Sequence, residues 1–302
     1  MDMNIPQDPA LRDADRITRA YFDALLIETR YIDSVVPSTA FDFFGETFAT
    51  PIMTTALSHL GRLREDGDLE FARGARAAEA VCWIGMSDDA VIEAVAATGA
   101  RFVEIVKPFE DHDEVVRKLR HAEACGAIGV GMDIDHVFNG RGRTGEVHGL
   151  RMGVVTQEDL ARYAKATRLP FLVKGVLGAT DAAKCAEAGA AGILASHHHG
   201  IQPYAVPPLL VLPEILAAVE RRLPVYVDCA VQSGFDAYKA MALGAAGVCV
   251  GRAIMDPLKE KGAEGVRERL AQMTDELAAT MARTGAKDVR SLDPGTIRRR
   301  DF

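Results

Sequence analysis

Four segments of the chain repeat one grammar: an Ala-rich helical stretch, then Gly-Ala, then an apolar run. They read DAVIEAVAATGARFVEIV, EVVRKLRHAEACGAIGVGMD, DAAKCAEAGAAGILAS and DAYKAMALGAAGVCVG. A glycine closing each helix suits the left-handed position that a residue without Cβ adopts freely. The runs that follow do not alternate polar with apolar residues. They are therefore predicted to be buried on both faces, as parallel strands covered by helices are.

Counting every such run gives eight strands, at residues 51–54, 81–85, 102–106, 128–133, 171–175, 193–196, 225–229 and 248–251. Helical patterns separate them at 69–80, 88–98, 111–125, 157–166, 180–188, 209–221 and 234–243. Eight β-α units in 302 residues point to a (β/α)8 TIM barrel, which commonly needs ~250 residues. An open doubly wound sheet is the rival, but no early G-x-G-x-x-G turn supports it. A helical lead-in is expected over 13–28, and the periodic stretch GAEGVRERLAQMTDELAATMARTGA supplies C-terminal helices. Residues 1–302 are expected to form one domain.

Composition excludes some functions. A net charge of −8 argues against a nucleic-acid surface, which needs clustered Lys and Arg. The one basic cluster, Arg298–Arg300, reads as a solvated or interface segment. Cys82, Cys125, Cys185, Cys229 and Cys249 are odd in number and contain no C-x-x-C pair, so no disulfide framework is expected. The start MDMNIPQDPALRDAD lacks a signal peptide's basic and apolar regions, and no apolar run approaches ~18 residues. The expectation is a cytoplasmic protein with no membrane span.

In such a barrel the chemistry sits at the C-terminal strand ends. Lys174, inside FLVKGV, is an ammonium too costly to bury without an anionic partner. It could be a Schiff-base lysine or a fixed cation beside an anionic cofactor. The loops DCAVQSG and VGRAIM follow strands seven and eight, where an Arg and a helix N-terminus suit a phosphate. His197, His198 and His199 close strand six. Neighbours on an extended segment point to opposite sides, so a metal site is disfavoured and a general base is the better reading.

Taken together, LPFLVKGVLGATDAAKCAEAGAAGILAS and LPVYVDCAVQSGFDAYKAMALGAAGVCVGRAIM resemble the FMN-dependent α-hydroxy acid oxidase and dehydrogenase family. The likeness is dense over 169–255 and thinner before it, where FATPIMTTA still resembles the family's first strand. The resemblance implies a (β/α)8 barrel, one FMN, a small-molecule substrate and a homo-oligomer, a tetramer by likeness. It implies that Lys174 meets the N1/C2-carbonyl edge of the flavin, that Gly251 and Arg252 hold the phosphate, and that Asp228 opens the other phosphate loop. Ser196, Ala230, Glu104, Thr55 and Gly85 complete the cofactor set. The catalytic base is His198 in the ungapped register, which also matches Val206-Pro207, or His199 if the His-Gly pair is aligned. Asp133 matches the aspartate that orients that base. No metal is implied.

The departures fall on the substrate side. Ile201 stands where the family has a carboxylate-clamping arginine, and Gln232 where it has another arginine. Glu104 replaces a flavin-contacting glutamine and Val106 a substrate tyrosine. The loop DIDHVFNGRGRTGEVHGLRMGV is shorter than the family's lid, and its Arg141, Arg143 or Arg151 could hold a carboxylate instead. The chain is thus expected to oxidise a 2-hydroxy acid or related hydroxyl substrate. An FMN-dependent isomerase-type barrel and an inactive flavin-barrel binding subunit are the alternatives.

Overall fold

The computed structural model describes residues 12–300. Eight parallel strands form one sheet: β1 Ile52–Thr54, β2 Cys82–Gly85, β3 Phe102–Val106, β4 Gly129–Asp133, β5 Phe171–Val176, β6 Gly192–Ala195, β7 Val225–Val227 and β8 Gly247–Val250. Their order, β1-β8-β7-β6-β5-β4-β3-β2, is that of a nearly closed barrel. The seam between β1 and β2 is drawn together by Thr54. Its backbone N–H donates to Val81 O (3.2 Å), and its hydroxyl accepts from Trp83 N–H (2.8 Å) and donates to Trp83 O (3.2 Å).

The period of two along each strand divides the core. Met53, Trp83, Val103, Ile105, Leu172, Leu194, Tyr226 and Cys249 form one cluster inside the barrel. Ile52, Cys82, Ile84, Phe102, Val130, Val173, Ile193, Val225 and Val248 join the cluster beneath the helices. A hairpin that the sequence reading missed, Phe41–Phe43 with Glu46–Phe48, sends Phe41, Phe43 and Phe48 into the inner cluster. Phe43 lies 6.3 Å from Trp83 and 5.7 Å from Tyr226, ring centre to ring centre. Aromatic rings thus fill the barrel's N-terminal end, and the polar residues are left for the other.

The expected lead-in helix is shorter than predicted. Helix α1 spans Ala14–Asp23, and the chain then turns into a strand, Leu25–Ile27, antiparallel to Ile297–Arg299. The basic cluster is partly a strand, with Arg298 paired to Glu28, and Arg298 and Arg299 stay exposed. A partner some 270 residues away could not be read from local pattern. Helices Arg252–Lys261 and Ala263–Thr284 follow β8 as expected. All five cysteines are free, and among the described residues no helix is long and apolar enough to cross a membrane. The acidic start at residues 1–11 lies outside the described residues.

Candidate active site

The inner-face alternation continues past the apolar cluster. Two residues beyond Met53, Ile105, Gly131, Leu172, Leu194, Tyr226 and Cys249 stand Thr55, Lys107, Asp133, Lys174, Ser196, Asp228 and Gly251. Each strand thus ends inward in a polar group or a glycine. Thr55, Lys174, His198, His199, Asp228, Ala230, Gly251 and Arg252 line a cavity of about 330 Å³ there. That size is within the range of small-molecule sites.

Lys174 and Asp133 are register partners on adjacent strands, which sets their side chains abreast with Nζ 3.6 Å from Oδ1. Lys107 reaches the same carboxylate from β3, 2.8 Å from Oδ2. Both ammonium groups and the carboxylate are buried. Burial alone would raise the Asp133 pKa, but the charges of Lys174 and Lys107 overrule it and hold the group well below the usual carboxylate range. Burial would likewise lower the Lys174 pKa, and Asp133, Asp228 and Asp135 reverse that and raise it. Lys174 is therefore a permanent cation, which disfavours a Schiff-base role because that needs a free amine.

The histidines do not lie on extended backbone, contrary to expectation. His198, His199 and Gly200 all have positive φ (45°, 57° and 73°), so the strand ends in a left-handed turn that sends the rings three ways. His197 is buried, and its Nδ1 accepts from Gly200 N–H (3.0 Å). Its Nε2 therefore carries the proton and donates to Thr18 Oγ1 (2.8 Å) on α1. His199 is 67% exposed and pairs through Nδ1 with Asp15 Oδ2 (2.5 Å). His198 faces the cavity, its backbone N–H held by Ser196 Oγ (3.0 Å). Its Nδ1 lies 2.7 Å from Asp135 Oδ1 and 3.2 Å from both Asp133 and Lys174 Nζ. Burial pushes its pKa down, but the two carboxylates outweigh that and raise it. Asp133, Asp135 and His198 present ligand-type atoms within 4.8 Å of one another, yet Lys174 already supplies the positive charge there.

At the other end of the cavity Asp228 Oδ2 accepts from Thr55 Oγ1 (3.1 Å), and the Cys229 thiol donates to Asp228 Oδ1 (2.9 Å). A carboxylate only accepts hydrogen bonds, so Asp228 suits a hydroxyl-bearing chain better than a phosphate. Cys229 and Ala230 both take positive φ (66° and 55°) without being glycine, a strain of the kind stored at functional loops. Gly251 precedes helix Arg252–Lys261, and a Cβ there would meet Thr55 Cγ2 at 2.8 Å. Arg252 is held by Asp15 of α1 in a two-point pair, 2.8 and 2.5 Å. Arg252, the helix N-terminus and the hydroxyl-accepting Asp228 thus form a donor set that fits a phosphorylated polyol, with Asp15 as the arginine's resident anion.

Comparison with known proteins places this geometry. The model of the family "FMN-dependent dehydrogenase" matches residues 12–154 and 143–299. Glycolate oxidase 3 of Arabidopsis thaliana is 32% identical over 89% of this chain and 81% of its own length. Spinacia oleracea glycolate oxidase is 29% identical over 90% and 82%. A mandelate oxidase structure superimposes with a TM-score of 0.85 at 28% identity, covering 96% of this chain and 92% of the other. A mandelate oxidase mutant carrying a monooxide FMN adduct gives 0.87 at 29%, covering 95% and 91%. The fold is that of an FMN-dependent oxidoreductase barrel. The chain belongs to the FMN-dependent dehydrogenase family, among whose members are α-hydroxy acid oxidases.

Not every expected residue reaches the cavity. Ser196 spends its hydroxyl on the His198 turn, and a Cβ on Gly85 would lie 3.1 Å from Ala56 Cβ. Glu104 alternates with Val103 and Ile105, so it faces the helix layer and borders a separate cavity of about 120 Å³ with Lys118 and Ser87. There Oε1 accepts from Ser87 N–H (3.2 Å), Oε2 is buried without a partner, and burial lifts the pKa to about 7. The inward polar residue at the mouth on this side is Lys107, just past the end of β3. Arg141 and Arg143 are exposed, and Arg151 pairs with Glu110 (3.4 Å). Lys107, Asp135 and Asp15 were not singled out from sequence. The first two stood in plain view at strand ends, in EIVK and DID, but nothing local marks them as partners of Asp133 and His198.

Proposed function

We propose that this chain binds one FMN at the barrel mouth and oxidises the hydroxyl-bearing carbon of a 2-hydroxy acid or related substrate, with His198 as general base. The observation that carries the reading is the His198 environment. Its Nδ1 is tied to carboxylates, so Nε2 is left to take a proton at the cavity, beside a permanent buried ammonium. The flavin, when bound, supplies the acceptor for the two electrons of the substrate C–H bond. Arg252 and the N-terminus of helix Arg252–Lys261 would hold its phosphate, Asp228 and Thr55 its polyol, and Lys174 the edge where negative charge collects. His198 takes the hydroxyl-side proton, and the substrate leaves as the corresponding carbonyl.

The substrate side differs from that of a simple small hydroxy acid enzyme. Ile201, 41% exposed and apolar, offers no clamp for a carboxylate. Glycolate and lactate are therefore expected to reduce the bound flavin slowly under anaerobic mixing, and bulkier hydroxyl compounds faster. Rapid bleaching of the flavin band by lactate would contradict this account of the pocket. Bleaching that survives His198→Ala would remove the assigned base.

A further inference from the structure

Beneath His198 lie two carboxylates, and the structure separates their tasks. Asp133 Oδ2 is bound by Lys107 (2.8 Å) and Oδ1 faces Lys174 (3.6 Å), so its charge is spent on two ammonium groups. Among the described residues no ammonium is paired directly with Asp135, on which Lys174 acts only at longer range. Its Oδ1 makes the shortest contact to His198 Nδ1, 2.7 Å against 3.2 Å for Asp133. We propose that Asp135, and not Asp133, is the residue that orients His198, while Asp133 is the counter-ion that keeps Lys107 and Lys174 buried at the mouth.

A second, independent feature shows that the place of Asp135 is built in. Strand β5 carries an irregularity between Lys174 and Val176, where it would otherwise continue its register with β6. The residue there is Gly175, at φ +94°, and a Cβ on it would lie 2.5 Å from Asp135 Cγ and 2.8 Å from Asp135 Cβ. The bulge and the missing side chain together form the seat of the Asp135 carboxyl. A bulge that re-aims groups beside a site is a common device. The remaining oxygen, Oδ2, is buried, and the carboxyl faces the His198 ring on one side and the Asp133 carboxylate on the other.

The groups facing His198 are Asp133 from β4, Asp135 and His136 from the loop after it, and Lys174 from β5. Lys107 acts on it through Asp133, and Asp228 and Cys229 through Lys174. Burial and the Asp133 charge lift the Asp135 pKa to about 6. The sign follows directly. The His198 pKa is raised by its carboxylates, and the base works only when neutral, so activity is lost as pH falls through that raised value. Removing the orienting carboxylate lowers the pKa of the imidazole and moves this loss to lower pH.

The inference rests on the proposed function only for its catalytic meaning, and its test does not need the flavin. The His198 ring is titrated by NMR in the full-length chain as purified, with the resonance assigned through His198→Gln. Asp135→Asn, which keeps shape and removes charge, is expected to lower the His198 pKa by about one unit or more. Gly175→Ala, which alters no titrating group, is expected to push the carboxyl off the ring and shift the titration the same way. In the reacting enzyme, Asp135→Asn should also move the acidic limb of flavin reduction to lower pH. Its plateau rate should fall on the order of 10²-fold, as for a misplaced base. A His198 titration unchanged in both folded variants overturns the proposal, as does a shift found in Asp133→Asn alone. A chain that takes up no flavin yet shows the NMR shifts would sink the proposed function and leave this assignment standing.

Discussion

The three adjacent histidines show how little a side chain's identity says about its task. His197 is a buried, neutral link to helix α1, His199 is a largely exposed partner of Asp15 at the cavity rim, and His198 is the one set against the buried Asp133, Asp135 and Lys174. The left-handed turn separates them, and a strained turn of this kind is invisible to alternation arguments. His198→Ala is therefore expected to slow flavin reduction by ~10²–10⁴ while the cofactor stays bound. His199→Ala should change the rate only slightly. Stopped-flow reduction of the two variants decides it, and an inactive His199→Ala beside an active His198→Ala would reverse the assignment. The placement of the triplet at the mouth was legible from Gly192–Ala195 being an apolar strand. Which ring served as base was not, because that depends on Asp135, sixty-three residues away in sequence.

Among the elements, the eight strands and seven helices between them were legible because each unit writes its own signal in about a score of residues. Their closure into a barrel was expected from the count of eight units, but the Thr54 contacts that make the seam between β1 and β2 were not, since no local pattern contains them. Thr54→Val keeps the side-chain volume but leaves Trp83 N–H, buried at the seam, without its acceptor. A loss of about 1–3 kcal/mol is expected. Urea unfolding measures it, and a variant within 0.5 kcal/mol of the parent (roughly the scatter for a neutral surface change) would show that Thr54 does not close the barrel. Helix α1 was expected only as a lead-in, yet it braces side chains around the site. Asp15, Thr18 and Arg19, spaced to share one helical face, reach Arg252, His197 and Asp236. Asp15 therefore competes with a phosphate for Arg252. Asp15→Asn should tighten FMN binding roughly twofold to fivefold, the worth of a half-exposed ion pair, and leave riboflavin binding unchanged. Equal effects on both ligands in calorimetry would show that Asp15 does not act on the phosphate.

For the whole molecule, one barrel end is closed by aromatic rings and the other carries every inward polar group, so a single face is available for chemistry. The family model matches nearly the full chain. The substrate side, with Ile201 and a short loop after β4, is where the proposed function has this chain differ from small hydroxy acid enzymes. The central claim is that the mouth is a flavin site. Titration of the purified full-length chain with FMN, followed by absorbance and by equilibrium dialysis, tests it most directly. The account predicts one FMN per chain and a tenfold to hundredfold weaker affinity in Arg252→Ala, since a charge-assisted contact is worth ~1.5–3 kcal/mol. A colourless chain that takes up no added FMN, or an affinity indifferent to Arg252, would contradict it.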